Sequence, residues 1–187
     1  MIAKGHDFPD VTLVGIVLAD IGLSMPSYRS AERVFQLITQ AVGRSGRSDK
    51  PGTAIIQTYM PEHYAITMAA RQDYELFYKK EMSMRKLQLY PPYNYLASIT
   101  LSSKNEELVI ETMYRVVDQL NEMFKDEAMV LGPITPFIAF EKERFIRAAL
   151  IKSKNQDLIR SVLGKILSSL SNKTQISISI NIDPYNF

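Results

Sequence analysis

The stretch Gln175-Ile176-Ser177-Ile178-Ser179-Ile180-Asn181-Ile182 alternates apolar and polar side chains from Ile176 onward. Successive side chains of a β-strand point to opposite faces, so this alternation predicts a strand with one face in a core and one face in solvent. A one-sided pattern of this kind is typical of antiparallel sheets. The stretch therefore predicts an antiparallel sheet, covered on one face, in the last part of the chain.

The preceding residues contain the other elements that such a sheet needs. Three further strands are predicted over residues 95–101, 129–131 and 145–152. Two amphipathic helices are predicted over residues 106–124 and 156–170, where apolar side chains recur at three- and four-residue steps. The order strand, helix, strand, strand, helix, strand is that of a split-βαβ, ferredoxin-like sandwich.

The first part of the chain has a different order of elements. A buried strand is predicted at 11–18 (VTLVGIVL), a helix at 29–42 and a second strand at 53–59 (TAIIQTY). Strand, helix, strand predicts a parallel α/β sheet. Gly43, directly after the helix, is the residue type favoured in a left-handed helix exit.

A long helix predicted over 73–89 stops at Tyr90-Pro91-Pro92-Tyr93, because paired prolines prevent helix continuation. This stretch is interpreted as a rigid joint between domains; a polyproline-like recognition element is the alternative. The predicted division is residues 1–70, a linking helix and joint over 71–92, and a second domain over 93–187.

Composition excludes several classes of protein. The chain has 187 residues, of which 46% are hydrophobic and 22% are charged, as in ordinary globular proteins. The absence of cysteine excludes disulfides and thiolate metal sites, so we predict no metal centre within this chain. No apolar run is long enough to span a bilayer, which fits a cytoplasmic protein. The net charge of +2 hides an acidic segment at 105–127 and a basic segment at 142–165.

Two arginines, Arg44 and Arg47, lie three residues apart in the stretch Gln40-Ala41-Val42-Gly43-Arg44-Ser45-Gly46-Arg47. The planar, permanently charged guanidinium group pairs well with phosphate oxygens, and two such groups could stabilise charge on a transferred γ-phosphate. The alternative is a helix C-terminus with solvated arginines near the negative end of the dipole.

Two longer stretches, the second of which includes these arginines, resemble motifs of a known family. MIAKGHDFPDVTLVG at residues 1–15 and YRSAERVFQLITQAVGRSGR at residues 28–47 closely resemble motifs V and VI of the primosomal protein N′ (PriA) family of superfamily 2 replication-restart DNA helicases. The resemblance continues through PGTAIIQTYMPEHY at 51–64 and INIDPY at 180–185. It implies the C-terminal portion of an ATP-dependent 3′-to-5′ helicase, beginning within its second RecA-like lobe.

The resemblance also implies roles for individual residues. Gln40, Arg44 and Arg47 would face the nucleotide, with Arg47 as the arginine finger. The motif V residues Lys4, Gly5 and His6 would lie near the bound DNA strand or couple it to ATP. Asp20 and Gly43 are further candidates for residues associated with the nucleotide.

For the second domain the resemblance implies binding of branched replication-fork DNA and docking of the single-stranded-DNA-binding protein, alongside other primosome proteins. The candidate residues for DNA and partner binding are Lys142, Arg144, Arg147, Lys152, Lys154, Gln156 and Arg160. The alternative for the basic residues is a solvated strand edge. Phe137, Phe140 and Phe145 could stack on bases, but the favoured interpretation places them in the core.

No Gly-x-x-x-x-Gly-Lys-Ser/Thr phosphate loop is present in the 187 residues. The resemblance implies that the loop for ATP and Mg²⁺, and the cysteines for Zn²⁺, belong to a longer protein that acts at replication forks of the bacterial nucleoid. We expect this chain alone to neither hydrolyse ATP nor unwind DNA. Asp126-Glu127-Ala128 is interpreted as a solvated turn rather than an acidic Mg²⁺ motif. The competing hypothesis is a stand-alone binding module with a vestigial helicase-like turn.

Overall fold

The computed structural model describes residues 11–45, 52–170 and 175–185. The chain divides into two compact units, Met1–Met84 and Arg85–Phe187. Each unit has its own cluster of buried apolar side chains. The two units are described separately below.

Unit 1 contains the predicted parallel pair of strands. β1 (Leu13–Ile16) pairs with β2 (Thr53–Ile56) in parallel, from Leu13 opposite Thr53 to Ile16 opposite Ile56. Both strands are shorter than predicted. β1 ends where Leu18 adopts a left-handed backbone (φ 52°) and the chain enters a 3₁₀ turn at Ala19–Ser24.

The core of unit 1 is formed by α1 (Ser30–Val42), α2 (Tyr64–Ala70) and α3 (Tyr74–Leu87). The rings of Phe35 and Phe77 stack with centroids 4.0 Å apart. The recurrence of Val34, Leu37, Ile38 and Ala41 at three- and four-residue steps predicts one buried stripe on α1, but Leu37 is 47% exposed, whereas Phe35 is 4% exposed. Phe35 is buried in place of Leu37 because Phe77 of α3 packs against Phe35. The sequence of α1 alone cannot predict this contact.

α2 begins directly after His63, which acts as its N-cap. The Nδ1 atom of His63 accepts a hydrogen bond from the backbone N–H of Ala65 at 3.2 Å. Burial lowers the pKa of His63, and the nearby Glu81 carboxylate partly opposes this shift. The cap therefore requires the neutral imidazole.

The end of α1 differs from the prediction at Gly43. Gly43 has right-handed backbone angles (φ −65°, ψ −2°), so the expected left-handed exit is wrong. The last turn tightens instead, with the N–H groups of Arg44 and Ser45 donating to the carbonyl oxygens of Ala41 and Val42. This tightening satisfies carbonyls that would otherwise lack a partner, so no positive φ is needed.

Unit 2 contains the predicted antiparallel sheet. Its strands are β3 (Tyr95–Ser103), β4 (Ala128–Ile134), β5 (Phe140–Glu141), β6 (Arg144–Ser153) and β7 (Ser177–Ile182). The strand order is β4-β6-β3-β7, and β5 pairs with β6. All pairings are antiparallel, which confirms the mixed helix-and-sheet prediction with an antiparallel sheet.

One face of the sheet is covered by α4 (Glu106–Phe124) and α5 (Gln156–Leu170), whose bounds agree with the prediction. Ile99 of β3 and Ile151 of β6 are fully buried against these helices. Asn105 and Asn155 cap the two helices, each side chain accepting the N–H of the residue three positions later.

We call the opposite side of this sheet the open face. The register places Ser98 opposite Asn181, Thr100 opposite Ser179, and Ser102 opposite Ser177. Cross-strand partners share a face of the sheet, and Ala97, Ile99 and Leu101 of β3 pack against the helices together with the isoleucines of β7. From Ser98 to Ser102, the open face of β3 and the facing part of β7 are therefore lined by hydroxyl and amide side chains.

Two of the three phenylalanines after β4 are not core residues. Phe137 is 82% exposed and Phe140 is 55% exposed, so the core prediction is wrong for both. Phe145 does pack against the buried cluster, and its ring lies 4.9 Å from that of Phe140. The short β5–β6 hairpin pairs these two rings with each other, while the helix layer covers only Phe145.

The turn at Asp126 and Glu127 is exposed and forms part of a 3₁₀ turn at Lys125–Glu127, as predicted. Within the described ranges no helix is long and apolar enough to cross a membrane.

Candidate nucleotide and nucleic-acid sites

Asp20 joins the segments that follow the two parallel strands of unit 1. Its Oδ1 atom accepts hydrogen bonds from the Thr58 hydroxyl at 2.6 Å and from the Tyr59 backbone N–H at 2.9 Å. These two hydrogen bonds lower the pKa of the Asp20 carboxyl, the Thr58 bond having the larger effect. The carboxyl ends of parallel strands are where α/β sheets place ligands. Asp20 therefore fixes the shape of this edge.

Gln40 and Arg44 lie four positions apart at the C-terminal end of α1 and just beyond it. Residues at this spacing share one side of a helix. Gln40 is exposed and Arg44 is half-buried. Val34 and Ile38 of α1 are each 2% exposed, so Gln40 extends from a packed helix and Arg44 from the turn directly after it.

Four predicted site residues lie outside the described residues: Lys4, Gly5, His6 and Arg47. Their assigned roles stay predictions. Gly43 is exposed, and a Cβ atom at this position would lie 3.3 Å from the Thr39 carbonyl oxygen, which marks a close backbone approach within the last turn of α1.

The basic residues of β6 are distributed over both faces of the strand. Arg144 lies on the open face, where its Nε donates to the Ser102 hydroxyl at 3.0 Å and its Nη2 donates to the Ser102 carbonyl at 2.7 Å and the Ser177 hydroxyl at 3.0 Å. Arg147 has the opposite parity, and its Nη2 pairs with Glu106 at 2.9 Å. A strand alternates its faces, so a run of bases within it does not make one surface.

Lys152 is 5% exposed, the most buried of the predicted basic site residues. Its Nζ donates to the Gln88 carbonyl oxygen at 2.8 Å and lies 3.7 Å from the centroid of the Tyr90 ring. Burial lowers the pKa of Lys152 and raises that of Tyr90. These contacts anchor the segment that precedes β3, so Lys152 is engaged within the protein.

The remaining candidates are more accessible. Lys154 and Arg160 are exposed, Gln156 is half-buried, and Lys142 lies in the tight β5–β6 turn with a positive φ of 49°. Arg160 is 3.9 Å from Asp157, a long contact between exposed groups that contributes little. Arg160 is therefore accessible for a partner.

A cleft of about 750 Å³ lies beside the start of α5. Its lining includes Lys125, Asp126, Lys154, Asn155 and the nearly buried Asn94. The Oδ1 atom of Asn94 has no hydrogen-bond partner within the described residues.

Sequence reasoning missed Thr58 as a partner of Asp20 and missed the pairing of the polar faces of β3 and β7. Thr58 follows the second predicted parallel strand, so the rule that carboxyl ends meet at one edge could have indicated it. The alternation in Ser98, Thr100 and Ser102 was visible, but the neighbouring strand was not. In the described part of the chain no group of three or more His, Asp or Glu side chains could hold a metal ion.

The fold and these sites define an α/β unit with a parallel strand pair, followed by an antiparallel sheet covered by helices on one face. The family described as "Primosomal protein N C-terminal domain" matches residues 86–185. The chain belongs to this family.

Three curated proteins named replication restart protein PriA are similar to nearly the whole chain. The Bacillus subtilis (strain 168) protein is 43% identical over 99% of this chain and 23% of its own length. The Chlamydia pneumoniae protein is 39% identical over 98% of this chain and 25% of its own length. The Borreliella burgdorferi protein is 32% identical over 98% of this chain and 28% of its own length. The chain thus spans about a quarter of the length of these relatives.

Proposed function

We propose that the chain is the C-terminal part of an ATP-dependent 3′-to-5′ DNA helicase that recognises stalled or branched replication forks and initiates primosome assembly. One observation carries this proposal. The identity with relatives named replication restart protein PriA extends over nearly the whole chain, including the stretches that resemble helicase motifs V and VI. The activity is proposed for the longer protein, and the isolated chain is proposed to be inactive.

In this proposal unit 1 is part of the second RecA-like lobe of the motor. The parallel pairing of β1 and β2 supports that arrangement. Gln40, Arg44 and Arg47 contact the phosphates of ATP, and Arg47 stabilises the charge that develops during γ-phosphate cleavage. The Asp20 atom Oδ1 accepts two internal hydrogen bonds, which supports a role in holding the strand ends rather than in binding Mg²⁺.

The phosphate loop that binds ATP and Mg²⁺ is supplied by another segment of the longer protein, as are cysteines that bind Zn²⁺. This division explains why guanidinium groups can occur here without a phosphate loop. Lys4, Gly5 and His6 couple the bound DNA strand to the nucleotide. The protein is proposed to act in the bacterial cytoplasm, at forks within the nucleoid.

Unit 2 is proposed to be a ferredoxin-like domain that holds fork DNA and docks the single-stranded-DNA-binding protein and other primosome proteins. The strand order β4-β6-β3-β7, with two helices on one face, supports this fold assignment. The accessible Arg160 and the cleft beside Lys154 support partner docking near the start of α5.

The proposed motor function can be tested with Arg47→Ala in a protein that contains this chain together with the phosphate-loop segment. Loss of an arginine finger is expected to lower kcat for DNA-stimulated ATP hydrolysis by about a thousandfold or more, with a much smaller change in KM. Arg71→Ala is the matched control, because Arg71 is exposed at the end of α2. Equal ATPase rates for the two variants would contradict the finger role and favour a binding module with a vestigial turn.

A further inference from the structure

A small cavity of about 190 Å³ lies on the open face of the sheet in unit 2. Its lining includes the polar side chains of Ser98 and Thr100 on β3 and of Ser179 and Asn181 on β7. Ile134 and Pro136, at and just beyond the end of β4, also line it. Hydroxyl and amide groups from two neighbouring strands thus converge beside an apolar wall.

Ser98 supplies a hydroxyl group to the wall of this cavity. The residue is only 8% exposed, but its Oγ atom is not fully shielded from solvent, since it is not among the buried polar atoms that lack a partner. Within the described residues its hydroxyl makes no hydrogen bond. It is therefore available to donate to or accept from a molecule that enters the cavity.

The positively charged guanidinium group of Arg144 lies next to this cavity on the same face of the sheet. Ser102 and Ser177, which hold the Arg144 guanidinium, are two residues along the strands from Thr100 and Ser179, a separation of about 7 Å. Nε and Nη2 of Arg144 make these hydrogen bonds, whereas Nη1 makes none to any described residue. A guanidinium group held by two of its nitrogens presents the third in a fixed direction, which suits a phosphate oxygen.

Two carboxylates flank the site without lining it. Glu141 is the register partner of Arg144, and its side chain is 54% exposed. Asp183 follows β7 at the other end, where its Oδ1 accepts the N–H of Leu96. The acidic helix α4 packs on the opposite face of the sheet. The electrostatic environment of the cavity is therefore set chiefly by Arg144, with Glu141 opposing it and Lys142, whose Nζ lies 3.8 Å from Glu141 Oε1, partly offsetting that carboxylate.

We propose that the open face binds a single strand of nucleic acid, with a phosphate at Nη1 of Arg144 and a base in the cavity. The edge of the base hydrogen-bonds to Ser98, Thr100, Ser179 and Asn181. Hydroxyl and amide groups suit base edges, which carry both donors and acceptors, and unpaired bases are the ones that can enter such a cavity. Phe137, exposed directly after Pro136, offers a ring for stacking at the rim. This proposal rests on the proposed function in taking the strand to be DNA.

The test measures binding of the 187-residue chain to a fluorescently labelled oligothymidylate by anisotropy across a range of salt concentrations. Thr100→Val keeps the side-chain shape and suits a strand, and we expect it to weaken binding about two- to tenfold through loss of a hydrogen bond. Arg144→Gln should reduce the slope of log K against log salt by about 0.7, the value for one lost phosphate contact on a single strand.

The Glu141→Gln variant tests whether the open face binds DNA, because a purely structural role of this face would not make the substitution tighten DNA binding. Removing a carboxylate beside the phosphate position should tighten DNA binding about two- to fivefold. Glu111→Gln makes the same change in net charge on exposed α4, in the helix layer, where screening should leave affinity nearly unchanged. Far-UV circular dichroism confirms that each variant is folded before it is compared.

The outcomes separate this proposal from the proposed function. DNA binding that is unaffected by Thr100→Val, Arg144→Gln and Glu141→Gln would overturn the open-face site while leaving a fork-binding role in place. Absence of binding to both single-stranded and forked DNA at low salt would overturn the site together with the proposed DNA-holding role of unit 2. Equal effects of Glu141→Gln and Glu111→Gln would also overturn the site.

Discussion

The same substitution, glycine to alanine, should have opposite effects at two positions of unit 2. Gly132 lies in β4 where the register against β6 shifts between Leu131 and Ile134. A Cβ atom built on Gly132 would lie 2.9 Å from the Ala149 Cβ and 3.3 Å from the Ala148 carbonyl oxygen. At Gly164 in α5 an added Cβ would have nothing within 4 Å.

These distances set the expected free energies. At Gly132 the contact is below normal van der Waals separation and involves the neighbouring strand, so β4 and β6 must move apart; overpacking of this kind costs about 1–3 kcal/mol. At Gly164 the new methyl group meets no obstacle, and alanine is favoured over glycine in a helix interior by about 0.5–1 kcal/mol. Gly132→Ala should therefore destabilise unit 2, and Gly164→Ala should stabilise it.

Urea unfolding followed by far-UV circular dichroism measures both changes in the 187-residue chain. Hydrogen exchange of peptides from β4 and β6, read by mass spectrometry, assigns the loss of stability to unit 2. Wild-type stability and unchanged exchange in Gly132→Ala would show that β4 does not approach β6 closely at this position. Destabilisation by Gly164→Ala would contradict the open surroundings of that glycine.

Three further predictions concern single groups and the chain as a whole. The stability of unit 1 should fall as pH is lowered below the ordinary His63 pKa of 6.5, because folding depresses this pKa and protonation removes the acceptor for the Ala65 N–H. The His63→Asn variant keeps a capping oxygen, so thermal melts between pH 5 and pH 8 should show that it lacks this pH dependence. Lys152→Met leaves the Gln88 carbonyl without its donor and should lower the free energy of unfolding by about 1–3 kcal/mol in urea titrations, whereas the exposed Lys154→Met should change it by less than about 0.5 kcal/mol. The purified chain should show no DNA-stimulated release of phosphate from ATP, and measurable turnover would contradict the division of the ATP site between segments.

Helices α4 and α5 were predictable to the residue because their signals are local. Each begins after an asparagine that caps it, and each carries an apolar stripe that a sheet can cover. The alternation at the end of the chain likewise predicted β7, although the strand begins at Ser177 rather than Gln175. Capping and periodicity act over a few residues, so they can be read without knowing the partner element.

The wrong helix exit at Gly43 has a local cause, but the wrong core assignments of Leu37 and Phe137 depended on a partner distant in sequence. Phe35 is buried because Phe77 stacks on it, whereas Phe137 is exposed because no element within the described ranges covers the loop after β4. The basic segment looked continuous along the chain, but strand pleating places Arg144 and Arg147 on opposite faces, where each finds a different internal partner. Only some of these basic side chains are therefore available to a ligand, and the sequence alone does not show which ones.

Local sequence specifies the element types, the polar stripe of β7 and the clustered arginines after α1, since each follows from backbone geometry and side-chain chemistry within one element. The cavity on the open face exists only after folding. Strand order and register bring Ser98 beside Asn181 and Thr100 beside Ser179. They also place Arg144 where it hydrogen-bonds to both β3 and β7. Pairing between strands is set by packing of the whole unit, so the chemistry of this surface belongs to the tertiary structure.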